Sequence, residues 1–302
     1  RGQFDQAWQR IHSHFDTLFT TESSIDQLKQ TILQLAVMGK LVEQDPRDEP
    51  AEKLFAELKA EQKRFVETYK FRAPPAKAVD DSSTPCELPR TWKWCRMSSL
   101  FNAITDGDHL PPPKSYDGVA FLTIGNITTG KLDFEGCRFV PVEYYNSLAD
   151  FRRPICGDIL YTVVGATYGR AAFVGTDQPF CVQRHIAILK PPSCIDVGYL
   201  MVLLRAPLTY QQATASTTGT AQPTIPLGNL RNFLAPLPPL AEQRRIVAKV
   251  EELMTLCDRL KATLQTAQTT QLHLADTFTN EALCDKIGTD GLKSMPQAIN
   301  LQ

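Results

Sequence analysis

The chain has 302 residues, 43% of them hydrophobic, which gives room for roughly two domains and ample material for a packed core. No stretch approaches the roughly 20 uncharged apolar residues that span a bilayer, so no membrane segment is expected. The formal net charge of −1 argues, taken alone, weakly against a nucleic-acid partner. Eight cysteines are scattered without a C-x-x-C pair, which supports neither a zinc site nor a disulfide framework. Reduced thiols in a cytoplasmic protein are the expectation. The N-terminus, Arg1 to Arg10, is polar and has no apolar signal-peptide core, and its first residue is not Met, which points to a start inside a longer gene product.

Residues 1–71 read as helical. Phe4, Trp8, Ile11, Phe15 and Leu18 recur every three or four residues and predict a first helix. A second is expected to start at Ser23 or Ser24, with Ile25, Leu28, Ile32, Leu35 and Met38 on one face and Gly39 as its stop. A third follows Glu49-Pro50, with Leu54, Leu58, Phe65 and Tyr69 on its inner side. Residues 72–87, rich in Pro, Ala, Ser and Asp, read as a linker.

From 88 to 237 the composition changes to short β-prone runs separated by glycines, expected at Val119–Ile124, Cys137–Val142, Asp158–Val164, Ala171–Val174 and His185–Leu189. One helix is expected at Asp196–Leu208. This middle region holds 13 Lys/Arg against 10 Asp/Glu, whereas the rest of the chain holds 19 against 23. A mildly basic centre between acidic flanks is compatible with nucleic-acid contact by that region only.

After Pro238-Pro239 the pattern switches again. Ile246, Val250, Leu253, Cys257, Leu260, Leu264, Ala267, Gln271, Leu274 and Phe278 step alternately by four and three, an a/d seam that requires a partner helix. A helix from Leu240 to Leu283 would run roughly 65 Å. The expected coiled-coil segment is 238–284, followed by a disordered tail over 285–302. The fold class is therefore α+β: a globular mixed α/β domain flanked by long helices that form a coiled coil.

The motifs that would mark an ATP-driven motor or a dinucleotide fold are missing: no G-x-x-x-x-G-K-[ST] and no strand followed by G-x-G-x-x-G. The histidines do not stand at metal-ligand spacing, and Asp106 and Asp108 lie in a G-D-H-L-P context that reads as a turn rather than a carboxylate pair. No catalytic constellation and no cofactor are expected. The middle domain does carry cationic, aromatic and amide side chains in predicted loops, among them His109, Asn126 and Gln183. The site candidates are Lys114, Tyr116, Arg138, Arg152, Arg153, Tyr168, Arg170, Arg184 and His185. Arg can grip guanine O6 and N7 with two hydrogen bonds, so Arg138, Arg170 and Arg184, with Tyr168 and His185, are the base-reading candidates. Lys114 and the adjacent Arg152-Arg153 suit phosphate contact.

The segment Thr218-Gly219-Thr220-Ala221-Gln222-Pro223-Thr224-Ile225, running on to Pro236-Leu237-Pro238-Pro239-Leu240-Ala241-Glu242-Gln243-Arg244-Arg245-Ile246-Val247, resembles the exit from a target-recognition domain in type I restriction-modification specificity subunits. Residues 15–49 resemble the helical region before such a domain, and Glu87-Leu88-Pro89-Arg90-Thr91-Trp92-Lys93-Trp94 its beginning. The resemblance covers about residues 15–284. It implies a sequence-reading adaptor that recognises one part of a bipartite double-stranded DNA target. It also implies that the helices hold methyltransferase subunits and recruit a restriction and translocase subunit, with catalysis left to those partners. The usual family member has two recognition domains and two helical regions, and only one of each is found here. The chain is then either a half-subunit that works as a homodimer or the C-terminal half of a longer subunit. A recognition module of a fused restriction–methylation enzyme and a coiled-coil adaptor without DNA binding are the alternative readings.

Overall fold

A computed structural model describes residues 19–291 apart from 73, 81, 83, 110, 129, 220 and 221. The predicted first helix lies outside the described residues, apart from Phe19 and Thr20 that follow it. The chain divides into two compact units, one over 30–253 and one formed by the two chain ends, 1–29 and 254–302.

Helix α1 (Glu22–Val37) begins one residue before Ser23 and two before Ser24, the two predicted starts. Thr21 is the cap: its Oγ1 accepts from Ser24 N at 3.1 Å, and Ser24 Oγ reaches back to Thr21 N at 3.3 Å. Gly39 ends the helix as expected, with φ +67°, while Lys40 N donates to Leu35 O at 3.0 Å. Helix α2 (Ala51–Tyr69) follows Pro50 and buries Ala51, Leu54 and Leu58.

In chain order the next elements are β1 (Lys93–Arg96), β2 (Ala103–Asp106), β3 (Val119–Leu122), β4 (Ile127–Thr128), β5 (Lys131–Leu132), β6 (Arg138–Val140) and α3 (Val142–Ser147). Then come β7 (Ile159–Thr162), β8 (Ala171–Phe173), β9 (Phe180–Val182) and β10 (Ile186–Lys190). The unit closes with α4 (Val197–Arg205), α5 (Pro207–Ser216), α6 (Leu227–Asn232) and β11 (Leu234–Leu237), after which α7 runs from Leu240 to Gly291. The five predicted β runs all contain a strand, while β1, β2, β4, β5, β9 and β11 fall outside them. The single helix expected at Asp196–Leu208 is two helices. Pro207 holds Ala206 in an extended conformation (ψ 148°), so the first ends at Arg205 and the second starts at the proline.

A four-stranded sheet in the order β2-β10-β7-β8 is antiparallel throughout. A three-stranded sheet, β6-β3-β9, pairs β3 with β9 in parallel and β3 with β6 antiparallel. Between them lies the core, with Leu122, Leu160, Phe180, Ile186 and Ile188 buried. Each such side chain contributes on the order of 1.5–3 kcal/mol through removal from water.

Two of the stretches that carried the family resemblance meet the third at one buried carboxylate. Glu242, at the start of α7, accepts from Trp92 Nε1 at 2.8 Å and from Gln44 Nε2 at 2.5 Å. Its neighbour Gln243 is also buried; its Nε2 donates to Pro238 O at 2.9 Å and its Oε1 accepts from Asp196 N at 3.0 Å. Burial pushes the Glu242 carboxyl above its ordinary value of 4.5, and the two N–H donors offset this only in part. The folded chain therefore holds that proton more tightly than the unfolded chain. The contribution to stability is full below pH 4.5 and is lost as pH rises through the folded value. In thermal melts from pH 4.5 upward, the difference in Tm between Glu242→Gln and the parent is expected to move in favour of the variant. A difference that stays flat with pH would show that this carboxyl titrates normally.

Within the unit of the chain ends, α1 and α7 run antiparallel side by side. Lys29 Nζ pairs with Asp258 at 2.5 Å, and Lys261 Nζ with Asp26 at 2.9 Å and Glu22 at 3.4 Å, ascending numbers against descending ones. The predicted seam is buried at Ile246, Val250 and Cys257, half-buried at Leu260 and Leu264, and exposed from Ala267 to Leu274 and Phe278. The helix continues past 284 as far as Gly291, where a disordered tail was expected. Residues beyond 291 lie outside the description. No helix among the described residues is long and apolar enough to cross a membrane.

Candidate nucleic-acid interface

Strand pairing gathers the loops that bear most of the candidate residues at one end of the two sheets. Asp106 at the end of β2 faces Ala187 on β10, Ile186 on β10 faces Thr162 at the end of β7, and Tyr161 faces Ala171 at the start of β8. The same end of the second sheet carries Leu122 opposite Val182, with Phe121 opposite Arg138. The exit from β2, the β7–β8 loop, the β9–β10 turn and the start of β6 therefore share one surface.

Close backbone approach locks these loops together. Gly107 follows β2, and a Cβ there would stand 1.9 Å from Val182 O, so only glycine admits the bridge between Asp108 and Gln183. Asp108 has both oxygens engaged, Oδ1 by His109 N at 2.8 Å and Oδ2 by Tyr144 Oη at 3.2 Å. The turn expected at Asp106 and Asp108 is instead the end of a strand: Asp106 closes β2 and Asp108 bridges to Gln183. Pro223 to Ile225, at the end of the T-G-T-A-Q-P-T-I stretch, dock on the same end. Ile225 N donates to Val163 O at 2.8 Å, and Gly165 N to Pro223 O at 2.9 Å, which leaves Gln222 exposed.

One cleft of about 290 Å³ opens here, lined by Asp108, His109, Arg138, Gln183, Arg184 and His185 together with Pro111, Pro112 and Phe121. Three of the predicted residues, Arg138, Arg184 and His185, are thus brought together. Arg138 and Arg184 are exposed, and neither makes an ion pair among the described residues. His185 is held by Arg184, whose Nε approaches its Nε2 at 3.4 Å. Partial burial, and then the Arg184 charge, depress the His185 pKa, so the ring is neutral at physiological pH and can both donate and accept. His109 reaches Asp106 at 3.2 Å. Lys114 and Tyr116 lie on an exposed loop beside this cleft, tied to β6 by Ser115 N donating to Phe139 O at 3.1 Å.

Tyr168 and Arg170 occupy the neighbouring β7–β8 loop and do not line that cleft. Tyr168 stacks on Tyr210 with centroids 5.6 Å apart and an interplanar angle of 10°, and its Oη lies 2.9 Å from Thr214 Oγ1. Arg170 lines a separate hollow with Gly169, Tyr210 and Gln211. Tyr210 escaped the sequence reading because it falls past the end of the predicted helix, on α5.

The pair Arg152-Arg153 is not a free cationic stripe. Arg152 Nη1 donates to Gly107 O at 2.6 Å, Asp106 Oδ1 at 3.1 Å and Asp106 O at 3.2 Å, which pins the β2 exit. Arg153 forms an ion pair with Asp150 and lies over the Tyr145 ring, 5.4 Å from its centroid. Their sequence spacing showed the charge but not these internal carboxylates. Asn126 is likewise taken up locally, its Oδ1 accepting from Thr123 N and Oγ1 at 2.9 Å.

Residues 89–267 match the family described as Type I restriction modification DNA specificity domain, and the chain belongs to that family. It is 34% identical over 284 residues to the Type I restriction enzyme EcoAI specificity subunit of Escherichia coli and 36% identical over 292 residues to the EcoEI specificity subunit of the same organism. Each alignment covers 91% of this chain and 48% of the relative, so the chain spans about half the length of the curated relatives it matches. A solved chain from work on complex assembly and conformational transition of the type I R-M system shares the fold. Its TM-score is 0.52 at 18% identity, covering 86% of this chain and 57% of that one.

Proposed function

We propose that this chain reads one half-site of a bipartite double-stranded DNA target, as the specificity component of a type I restriction-modification assembly in the cytoplasm. The observation that carries the reading is the convergence of Arg138, Arg184, His185, His109 and Gln183, from separate loops, on one cleft at the loop end of the sheets. Arg offers the fork that fits guanine, Gln183 can serve adenine, and a neutral imidazole can address either edge. Lys114 and Tyr116 on the adjoining loop are assigned to phosphate and sugar. Tyr168 and Arg170 would extend the contact along the groove from the next loop. Arg152 and Arg153 are assigned to shaping that surface.

The chain itself carries out no catalysis in this reading and needs no cofactor. Methyltransferase subunits and a restriction and translocase subunit would be its protein partners, held through the long helices, with a second recognition unit, from another copy or from the rest of a longer chain, completing the target. The test is long-read mapping of methylated bases in cells that express this chain with its neighbouring methyltransferase subunit. A bipartite methylated motif, altered when Arg138 or Arg184 is replaced, supports the reading. The same motif persisting unaltered in those variants overturns the site assignment.

A further inference from the structure

A second hollow of the 30–253 unit lies away from the loop end. It is a cleft of about 650 Å³ between α2, β1 and the segment around Lys77 and Ala78. Five basic side chains line it, Lys59, Lys77, Arg90, Lys93 and Arg96, against the single carboxylate of Glu52, and Phe55 and Trp94 supply its aromatic walls.

Two of those cations are accounted for. Lys93 Nζ pairs with Glu52 at 2.9 Å, and Arg96 donates to the backbone oxygens of Asn232 at 2.9 Å and Ala78 at 2.7 Å, which draws the expected linker across as one wall. Lys59 is different. It is half-buried, its ammonium stands 3.2 Å from Ser99 Oγ and 3.3 Å from Gln62 Oε1, and it lies over the Phe55 ring at 5.4 Å. No carboxylate comes within ion-pair distance of it among the described residues, and desolvation alone depresses its pKa. A cation taken partly out of water without a counter-charge is costly, and an anion entering the cleft would relieve that cost.

We infer that this cleft binds carboxylate side chains of an acidic segment from a protein partner, with Lys59 as the central contact and Arg90 at its mouth. Its position favours protein over DNA. The chain leads from Ser99 to Asn102, whose N–H donates to Lys190 O at 2.8 Å, and Lys190 ends β10 at the far end of the sheet from His185. DNA seated on the loop end would be a strand length away, about 17 Å. The aromatic and proline lining suits a polypeptide.

Fluorescence anisotropy of the whole chain with a fluorescein-labelled hexaglutamate peptide tests this. Saturable, salt-sensitive binding is expected, weakened about tenfold or more by Lys59→Gln, the loss for one charge-assisted contact. The exposed Arg90→Gln, which cannot unsettle the core, is expected to weaken it in the same direction. Absence of saturable binding overturns the proposal, as does an affinity that neither substitution changes. A non-specific DNA duplex that displaces the peptide and loses affinity in the same two variants would make the cleft a phosphate site and also overturn it.

Discussion

Replacing Lys190 by Met is expected to cost about 3–5 kcal/mol of folding stability, the loss measured when one partner of a buried ion pair is removed. Lys190 Nζ donates to Asp158 Oδ2 at 2.6 Å and to Arg153 O at 3.1 Å, and the two side chains are only 7% and 5% exposed. Asp158 also accepts from Ile155 N at 2.9 Å, so it fixes the turn that leads into β7. Met fills the volume of the lysine stem but leaves a buried carboxylate with a single N–H donor. The double variant Lys190→Met with Asp158→Asn should recover about half of the loss or more, because Asn still accepts from Ile155 and carries no charge. Urea unfolding of the three variants and the parent measures this directly. A single variant that loses less than about 1 kcal/mol would mean that water reaches the pair in solution.

Much of the architecture was legible because periodic hydrophobicity and special residues act locally. The face of α1, the buried Leu54 and Leu58 of α2, the stop at Gly39 and the start of α7 after two prolines follow from such signals, whereas Tyr69, expected on the inner side of α2, is exposed. The short strands were harder. β2 ends in two polar residues, Thr105 and Asp106, and β9 is only three residues long, so neither presents an apolar run of strand length. In β11 the proline hides a strand that tolerates it at the edge of a two-stranded pair with β1. The cap at Thr21 was missed for a smaller reason: four hydroxyl residues, Thr20, Thr21, Ser23 and Ser24, stand in a near-continuous run, and only the fold selects which of them closes the box.

The site was legible in composition and less so in role. Arg138, Arg184 and His185 were picked as polar residues in loops, and strand register then set them around one cleft. Arg152 and Arg153 were indistinguishable from them in sequence, because their carboxylate partners are a property of the folded chain. Glu242 and Gln243 show the converse. They belong to the most recognisable stretch of the sequence, yet they are buried ties between Trp92, Gln44, Pro238 and Asp196 and do not face the loop end. A recognisable motif here marks the junction of α7 with the sheet-bearing unit rather than the surface proposed to read DNA.

The sharpest functional expectation separates the residues of the cleft from those of the loop beside it. With the methyltransferase subunit present, Arg138→Ala should relax discrimination at one base pair of the half-site by about 1–3 kcal/mol, while other positions keep their preference. Arg184→Ala should do the same at a different position, since Arg184 leaves the β9–β10 turn whereas Arg138 begins β6. Lys114→Ala should instead weaken every sequence alike and lower the slope of log K against log salt by about one, as the loss of one phosphate contact requires. Competition binding against a library randomised across the half-site, repeated at two salt concentrations, reads both quantities at once. Because Arg138 and Arg184 are exposed and form no ion pair among the described residues, their removal is expected to leave stability within about 0.5 kcal/mol. A change in sequence preference could then not be ascribed to unfolding. If Arg138→Ala and Arg184→Ala weaken all sequences equally, the cleft grips the backbone, and base reading has to move to Tyr168 and Arg170 on the neighbouring loop.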